Sequence, residues 1–175
     1  MRGKHPAGQT IPPVLAKASI LFVCTGNICR SPTAAGIFRR MVQQAGLEER
    51  ISVDSAGTGD WHVGQGADSR AVQAALGRGY DLSPHRARQL ESVDFHRFDL
   101  IIAMDEGHRA HMARLAKPSQ AHKIRMMTEF ARRHGQAGAV PDPYYGGPEG
   151  FEQVLDLLED AAAGLLDDLR SALAP

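Results

Sequence analysis

The chain has 175 residues, in which 20 Lys and Arg balance 20 Asp and Glu. Because a domain typically has about 150 residues, this length predicts one domain with a core of its own. The formal net charge of zero argues against a protein whose main task is to coat nucleic acid or an acidic membrane. A hydrophobic share of 43% with 23% charged residues is typical of globular rather than disordered chains.

The first 17 residues contain prolines, glycines and basic residues without any hydrophobic period. We interpret residues 1–17 as a disordered arm and residues 18–175 as the single domain. A signal peptide is the alternative, because Ala16-Lys17-Ala18 resembles a cleavage site, but the apolar stretch before it is short and contains two prolines. No run of 18 apolar residues is present, so we expect no membrane-spanning helix.

From Ala18 onward, short apolar runs alternate with amphipathic segments. The apolar runs predict strands at residues 19–23, 51–54, 99–104 and 123–127. Helical spacing predicts helices at residues 32–45, 67–78, 106–115 and 151–173. This order predicts an α/β fold: an open, mostly parallel four-stranded sheet with helices on both faces, of the Rossmann-like kind. Such sheets bind ligands at the carboxyl ends of their strands.

The last predicted helix has one apolar stripe and a set of acidic residues beside it. We interpret these acids as a solvated face: Asp156, Glu159, Asp160, Asp167 and Asp168.

The loop after the first predicted strand carries the most specific pattern in the chain. It has the residues Cys24-Thr25-Gly26-Asn27-Ile28-Cys29-Arg30-Ser31-Pro32 and leads directly into a predicted helix. Gly26 and Asn27 accept positive φ, so the backbone can curl and turn successive N–H groups inward as an anion nest. Pro32 suits the first helical position, and the helix N-terminus adds partial positive charge. Residues 25–31 are therefore predicted to cradle a tetrahedral oxyanion such as inorganic phosphate.

Two side chains give this loop its chemistry. Arg30 can direct a fork of donors at two phosphate oxygens, in a geometry that Lys does not match. Cys24 would lie at the floor among N–H donors, a helix dipole and a guanidinium, which all favour the thiolate and make it the candidate nucleophile. A single buried Cys after a strand is on its own more often a small core residue, but the whole combination favours the catalytic interpretation.

This loop resembles the signature loop of low-molecular-weight protein tyrosine phosphatases, and the resemblance extends from about Ala18 to the C-terminus. Four further segments match in order: Val53-Asp54-Ser55-Ala56-Gly57, Ser83-Pro84-His85-Arg86-Ala87-Arg88-Gln89-Leu90, Ile102-Ala103-Met104-Asp105-Glu106 and Pro141-Asp142-Pro143-Tyr144-Tyr145-Gly146. The resemblance implies the phosphotyrosine phosphatase I-like fold. It also implies hydrolysis of phosphotyrosine and aryl phosphates through a phosphocysteine intermediate on Cys24.

The resemblance also implies roles outside the loop. Asp142 lies in a long Gly- and Pro-rich stretch, and it would act as general acid for the leaving group and then as base for water. Read alone, its Asp-Pro pair is a turn initiator. Trp61, Tyr144 and Tyr145 would wall a cleft that selects an aryl phosphate over phosphoserine, although each also fits an ordinary half-buried aromatic residue.

Supporting hydrogen bonds are implied for a further set of polar residues. Asn27, Ser31, Ser55 and His85 would hold the strained loop, and Ser31 would help to stabilise the departing thiolate. Asp105 would pair with Arg30 and fix its orientation, although Asp105 also stands where a helix N-cap belongs.

Cys24 and Cys29 are the only two cysteines, which fits a reducing, cytoplasmic location and excludes a disulfide framework or a C-x-x-C motif. We hypothesise that peroxide converts Cys24 to a sulfenic acid, which Cys29 captures as a reversible disulfide. The alternative is that Cys29 is a packed core residue.

His108 and His111 lack partners in a known ligand pattern, so we interpret them as surface-helix residues and expect neither a metal nor a cofactor.

Three rival functions remain open. Thiol-linked arsenate reductases have a similar loop, but they usually pass a disulfide to cysteines outside it, and none follows Cys29 here. Phosphoarginine phosphatases tend to have Thr where this chain has Ile28. A phosphopeptide-binding module would not need both Cys24 and Asp142. We therefore predict a cytoplasmic monomer that acts on phosphotyrosine-containing proteins, with no nucleic-acid or membrane partner.

Overall fold

The computed structural model describes residues 16–134, 138–144 and 146–173. Within these residues, four strands form one parallel sheet in the order β2-β1-β3-β4. The strands are β1 (Ala18–Cys24), β2 (Ile51–Gly57), β3 (Leu100–Ala103) and β4 (Ile124–Met126). The α/β fold with an open parallel sheet is therefore confirmed. The interpretation of residues 1–17 as an arm falls almost wholly outside the described residues.

Helices cover both faces of this sheet. They are α1 (Arg30–Gln44), α2 (Ser69–Leu76), α3 (Asp94–Arg97), α4 (Glu106–Leu115) and α5 (Pro148–Ala172), with 3-10 turns at Pro118–Lys123 and Met127–Phe130. Side chains of α1, α2 and α5 form the core on one face, and Phe95 of α3 and Met112 of α4 contribute to the core on the other. Among the described helices, none is long and apolar enough to cross a membrane.

Strand β1 lies between β2 and β3, which explains its unbroken apolar run. Ile20 and Phe22 point into the core beneath α1 and α5, whereas Leu21 and Val23 point into the opposite core. A central strand of a parallel sheet is covered on both faces, so alternation between polar and apolar residues is lost. The ring of Phe22 meets that of Phe38 edge to face, with centroids 5.7 Å apart, and fixes α1 on the sheet.

Several predicted boundaries were wrong for local reasons. Strand β2 continues three residues beyond Asp54, because its register with β1 holds until Gly57 pairs with Cys24. Helix α1 begins at Arg30, so Pro32 is its third residue rather than its first; the position still needs no N–H donor. Helix α2 begins after Asp68, whose carboxylate accepts a hydrogen bond from the Arg70 N–H.

Other differences concern the elements near the C-terminal half. Helix α5 begins at Pro148, three residues earlier than predicted. The short helix α3 and the two 3-10 turns were not predicted, because one or two turns leave no hydrophobic period in the sequence.

The acidic residues of α5 are not all solvated. Asp160 is only 3% exposed, and its carboxylate accepts hydrogen bonds from the backbone N–H groups of Arg132, Arg133 and His134 and from the His134 ring. Burial alone would raise the pKa of this carboxyl, but the backbone donors hold the pKa well below its usual range. Asp160 therefore anchors the segment that leads into the loop containing Asp142, and reading it as a surface residue was wrong.

We predict that Asp160→Asn destabilises the fold by about 1–3 kcal/mol, because a buried amide cannot accept this set of hydrogen bonds without an unsatisfied donor. Urea unfolding at neutral pH would measure the change. Since the folded-state pKa lies below the unfolded value, the advantage of wild type is present above about pH 4 and shrinks as the pH falls further.

The control for this substitution is Asp168→Asn, which removes a partly exposed ion pair with Arg132 in the same region. A pair of this kind contributes about 0–1 kcal/mol. Equal losses of stability in the two variants would contradict the anchoring role of Asp160.

Candidate active site

The carboxyl end of β1 opens into a cavity of about 440 Å³. Strand β1 has a parallel neighbour on each side, and such a position is where open α/β sheets place their ligand crevice. The cavity is lined by Cys24, Thr25, Gly26, Ile28, Cys29, Arg30, Trp61, His62, Asp142 and Tyr144. The structure thus brings Asp142, the predicted acid, to the predicted nucleophile and arginine, although Asp142 lies far from both in the chain.

We name residues 24–31 the anion loop, and five of them turn their carbonyl groups outward. Groups outside the loop or in α1 donate hydrogen bonds to the carbonyl oxygens of Cys24, Thr25, Asn27, Ile28 and Cys29. In a planar trans peptide, a carbonyl and the N–H of the next residue point in opposite directions. Each outward carbonyl therefore aims the following N–H toward the centre of the loop, as an anion nest requires.

Asn27 is the residue that bends the anion loop. It is the one described non-glycine residue with positive φ, at 59°. Gly26 does not use positive φ; its missing Cβ instead makes room for His62, whose Cδ2 would lie 2.8 Å from a Cβ at that position. Gly57 is needed for a similar reason, because a Cβ there would lie 2.7 Å from the Thr25 carbonyl oxygen.

The buried side chain of Asn27 secures the loop internally and ties it to β2 and to the stretch that contains Arg88. Its Nδ2 donates to the Ser31 hydroxyl at 2.8 Å and to the Ser55 hydroxyl at 2.9 Å. Its Oδ1 accepts a hydrogen bond from the Arg88 N–H, and its backbone carbonyl lies 2.6 Å from His85 Nε2. The residues expected to support the loop therefore do converge on it.

Ser31 Oγ lies 2.9 Å from the Cys24 sulfur. Because a thiolate can only accept, Ser31 is the donor in this contact whenever Cys24 is ionised. Asn27 donates to the same hydroxyl oxygen, which leaves the hydroxyl proton available for the sulfur. Ser31 is thus placed to stabilise negative charge on Cys24.

Arg30 is buried, at 4% exposure, and its guanidinium is held from one side. Its Nη1 donates to Asp105 Oδ2 at 2.9 Å and to the Val140 carbonyl at 3.0 Å. The contacts of Nη2 are longer, at 3.5 Å to Asp142 Oδ2 and to Thr25 Oγ1. One arm is therefore committed to the protein, and the other faces the cavity.

Asp105 makes both of the contacts considered for it, the pair with Arg30 and the N-cap of α4. One carboxylate oxygen pairs with Arg30, and the other accepts the His108 N–H at 3.0 Å as the N-cap of α4. Burial would raise the pKa of this carboxyl, but the hydrogen bonds from His108 and Arg30 lower it. Asp105 therefore stays ionised opposite the buried guanidinium.

Asp142 stands at the mouth of the cavity, with its side chain 43% exposed. Its Oδ1 accepts the Tyr144 N–H at 3.0 Å, which fixes the carboxylate on its turn. Tyr144 in turn packs under the Arg70 guanidinium, which lies 5.1 Å from the ring centroid and pairs with Asp68. These contacts connect the turn with Asp142 to the start of α2.

The aromatic residues predicted to wall the cleft differ in how far they are exposed to solvent. Trp61 is 68% exposed and lies over Gly59, where a Cβ would collide with the indole ring. Tyr144 is half-buried and lines the same cavity. Tyr145 lies outside the described residues, so its predicted place in the cleft stays a prediction.

Two histidines near the cavity were missed or misread. His62 lines the cavity against Gly26, although only its neighbour Trp61 was singled out from that segment. His108 is buried and its Nε2 lies 2.7 Å from Thr25 Oγ1, so the surface-helix interpretation was wrong for this residue. The signal for His108 was its place three residues after the N-cap Asp105, in the first turn after a sheet strand. The described residues contain no cluster suited to a metal ion.

Cys29 is buried among core side chains, and both cysteines are free. Burial first, and then the negative charges nearby, raise the pKa of its thiol to about 12. A protonated thiol attacks a sulfenic acid slowly, since the thiolate is the reactive form. The Cys24-Cys29 disulfide stays a prediction, and the core interpretation of Cys29 fits its surroundings.

Residues 19–174 match the family described as low molecular weight phosphotyrosine protein phosphatase. A low molecular weight protein-tyrosine-phosphatase from Streptomyces coelicolor is 47% identical over 154 residues, which cover 86% of this chain and 93% of the relative. The crystal structure of a protein tyrosine phosphatase from Entamoeba histolytica with Hepes in the active site is 40% identical. It superposes with a TM-score of 0.85 and covers 88% of this chain and 97% of that chain.

Vibrio vulnificus Wzb in complex with benzylphosphonate is 30% identical, with a TM-score of 0.75 over 86% of this chain and 98% of that chain. The likeness therefore extends over most of the chain in both sequence and structure. The chain belongs to the low-molecular-weight protein tyrosine phosphatase family.

Proposed function

We propose that this phosphatase hydrolyses phosphotyrosine in protein substrates through a phosphocysteine on Cys24. The observation that carries the proposal is that Cys24, Arg30 and Asp142 line one cavity above an inward-facing ring of backbone N–H groups. Each of the three supplies a different requirement of the reaction: a nucleophile, charge stabilisation and proton transfer.

The phosphate dianion would bind in the anion loop with the Nη2 side of Arg30 directed at its oxygens. Nη1 is occupied by Asp105 and Val140, so the guanidinium does not have to reorganise when the ligand arrives. Donors fixed in advance stabilise the charge that builds up on the transferring phosphoryl group. The phosphorus atom would then lie above the Cys24 sulfur.

The first chemical step breaks the bond between phosphorus and the ester oxygen. The Cys24 thiolate attacks phosphorus, and the leaving oxygen takes a proton from the carboxyl group of Asp142. In the second step, the Asp142 carboxylate removes a proton from water as that water attacks phosphorus. Inorganic phosphate is formed, and Cys24 departs as a thiolate that the Ser31 hydroxyl stabilises.

Preference for an aryl phosphate follows from the walls of the cavity. Trp61 and Tyr144 line the same cavity as Cys24, so a flat ring would contact these aromatic side chains while its phosphate reaches the sulfur. Phosphoserine is too short to make the same contacts. The benzylphosphonate held by the related Vibrio vulnificus protein also combines a ring with a phosphate-like group.

We further infer that the protein works as a cytoplasmic monomer on phosphotyrosine-containing proteins, with inorganic phosphate as product and competing ligand. The two free cysteines fit a reducing compartment. Both cysteines of the sequence lie in the anion loop, so the chain has no further thiol for the disulfide relay that a thiol-linked arsenate reductase uses. Ile28 lines the cavity where phosphoarginine phosphatases tend to have Thr.

We predict that Cys24→Ser abolishes hydrolysis of p-nitrophenyl phosphate, and that Arg30→Lys lowers kcat/KM by about 10²-fold or more, because Lys cannot donate from a planar fork. Steady-state absorbance kinetics would measure both. Arg40→Lys, on the exposed face of α1, is the matched control and should keep wild-type kinetics.

Two outcomes would contradict this prediction. Hydrolysis at the wild-type rate in Cys24→Ser would exclude the phosphocysteine. Arsenate-dependent consumption of a thiol reductant by wild type, without hydrolysis of any aryl phosphate, would favour the reductase instead.

For Asp142→Asn, the expected loss depends on the leaving group. Phenyl phosphate, whose phenolate needs a proton as it departs, should lose about 10²–10⁴-fold in kcat, whereas p-nitrophenyl phosphate should lose much less. Asp167→Asn, at an exposed position of α5, serves as the control. Equal losses for both substrates would show that Asp142 does not protonate the leaving group.

The cleft can be tested through Trp61→Ala. Removal of an aromatic contact with the substrate ring should lower kcat/KM for p-nitrophenyl phosphate about 3–10-fold. The inhibition constant of inorganic phosphate, which has no ring, should not change. Val63→Ala alters an exposed apolar neighbour and is the control. A parallel loss of phosphate affinity in Trp61→Ala would place its effect on the loop instead.

A further inference from the structure

His108 occupies the first turn of α4, directly beside the anion loop. The residue is 4% exposed, and the turn follows β3, one of the two neighbours of β1 in the sheet. The phosphatase mechanism described above assigns no step to this residue. A polar side chain that is buried against catalytic groups needs partners for both of its ring nitrogens.

The two ring nitrogens of His108 face different groups. Nε2 lies 2.7 Å from the Thr25 hydroxyl oxygen. Nδ1 lies 3.2 Å from Asp105 Oδ1, but the alignment falls short of a hydrogen bond, and Nδ1 has no other partner among the described residues. The imidazole therefore stands between the second residue of the anion loop and the carboxylate that holds Arg30.

The surroundings decide which nitrogen carries the proton. Burial lowers the pKa of the imidazole to about 4, and Arg30 and His111 lower it as well, against the opposite effects of Asp105 and Asp142. The neutral ring has one proton, and an unprotonated Nδ1 would place its lone pair against an ionised carboxylate. The proton therefore belongs on Nδ1, which makes Nε2 the acceptor of the Thr25 hydroxyl.

This arrangement directs the Thr25 hydroxyl. Since its proton points to His108, the lone pairs of Oγ1 are free for the Arg30 Nη2, which lies 3.5 Å away. A ring of contacts results, from Arg30 to Asp105, to His108, to Thr25 and back to Arg30. Asp105 and the Val140 carbonyl hold Nη1, whereas Nη2 has only the long contacts to Thr25 and Asp142, so the return contact through Thr25 adds a restraint on the guanidinium plane at its cavity side.

We propose that His108 is a positioning residue that bridges Asp105 and Thr25 and thereby sets the plane of the Arg30 guanidinium for an incoming phosphate. The proposal rests on the proposed function of Arg30, but it concerns binding of the anion and not only turnover. His108 touches neither substrate nor the reacting atoms, and it acts through Thr25 and Asp105.

The test is a double-mutant cycle with His108→Ala and Thr25→Val. Val keeps the shape of Thr and removes the hydroxyl, so both variants remove the contact between His108 and Thr25, each from a different side. Binding of inorganic phosphate to each protein would be measured by isothermal titration calorimetry, and hydrolysis of p-nitrophenyl phosphate by steady-state kinetics. Each single variant should weaken phosphate binding about 5–10-fold, the effect of one lost hydrogen bond.

The double variant should bind phosphate no more weakly than the single variants, because both break the same ring. His108→Gln should restore most of the affinity, since its amide oxygen can accept the Thr25 hydroxyl where Nε2 does. His111→Ala, one turn further along α4 and half-buried, is the matched control and should bind like wild type.

Multiplicative losses in the double variant, or unchanged phosphate affinity in Thr25→Val, would overturn the proposal. A merely structural role would lower the Tm of His108→Ala and leave the affinity of the folded protein unchanged, which also overturns it. If His108→Ala does not fold, Thr25→Val and His108→Gln still decide the result. Absence of hydrolysis in wild type together with retained phosphate binding would reject the proposed function alone.

Discussion

The site depends on the hydrogen bonds that hold the carbonyl groups of the anion loop outward. In planar peptides, several N–H groups can point to one centre only if the preceding carbonyl groups point away from it. Without hydrogen bonds to those carbonyl groups, chain entropy and competition from water would favour other loop conformations. Asn27 adopts an unfavourable positive φ at this bend. Its side-chain amide stabilises the bend by donating to the Ser31 and Ser55 hydroxyl groups and accepting from the Arg88 N–H. Much of the neighbouring structure can be understood as support for this bend.

The buried guanidinium of Arg30 is the second constraint. A charge removed from water is tolerated only when a partner compensates it with good geometry, and Asp105 supplies that partner at 2.9 Å. The same carboxylate caps α4, so the helix and the arginine depend on one residue. These contacts hold the Nη1 side of the guanidinium, so the Nη2 side is left to face the cavity, where an anion can bind.

The acid approaches from a different part of the chain. Asp160 anchors residues 132–134, while the Arg70 guanidinium lies 5.1 Å from the ring centroids of both Tyr144 and Phe151. These contacts hold the chain before and after Asp142, at residues 132–134 and at Tyr144. The catalytic groups thus come from the end of β1, from the first residue of α1 and from the loop before α5.

The sequence by itself determined the parallel α/β fold and the chemistry of the anion loop, because both are written in contiguous residues: apolar runs of strand length, then Cys24 to Pro32 before a helix. The place of Asp142 required the family resemblance, since a lone Asp-Pro pair says only that the chain turns. Tertiary structure alone decided that His108 meets Thr25, 83 positions away, and that Asp160 is buried. Periodicity reports which face of a helix is apolar, but it does not report which distant polar group packs against that face, and this packing determines the partners of a buried histidine or carboxylate.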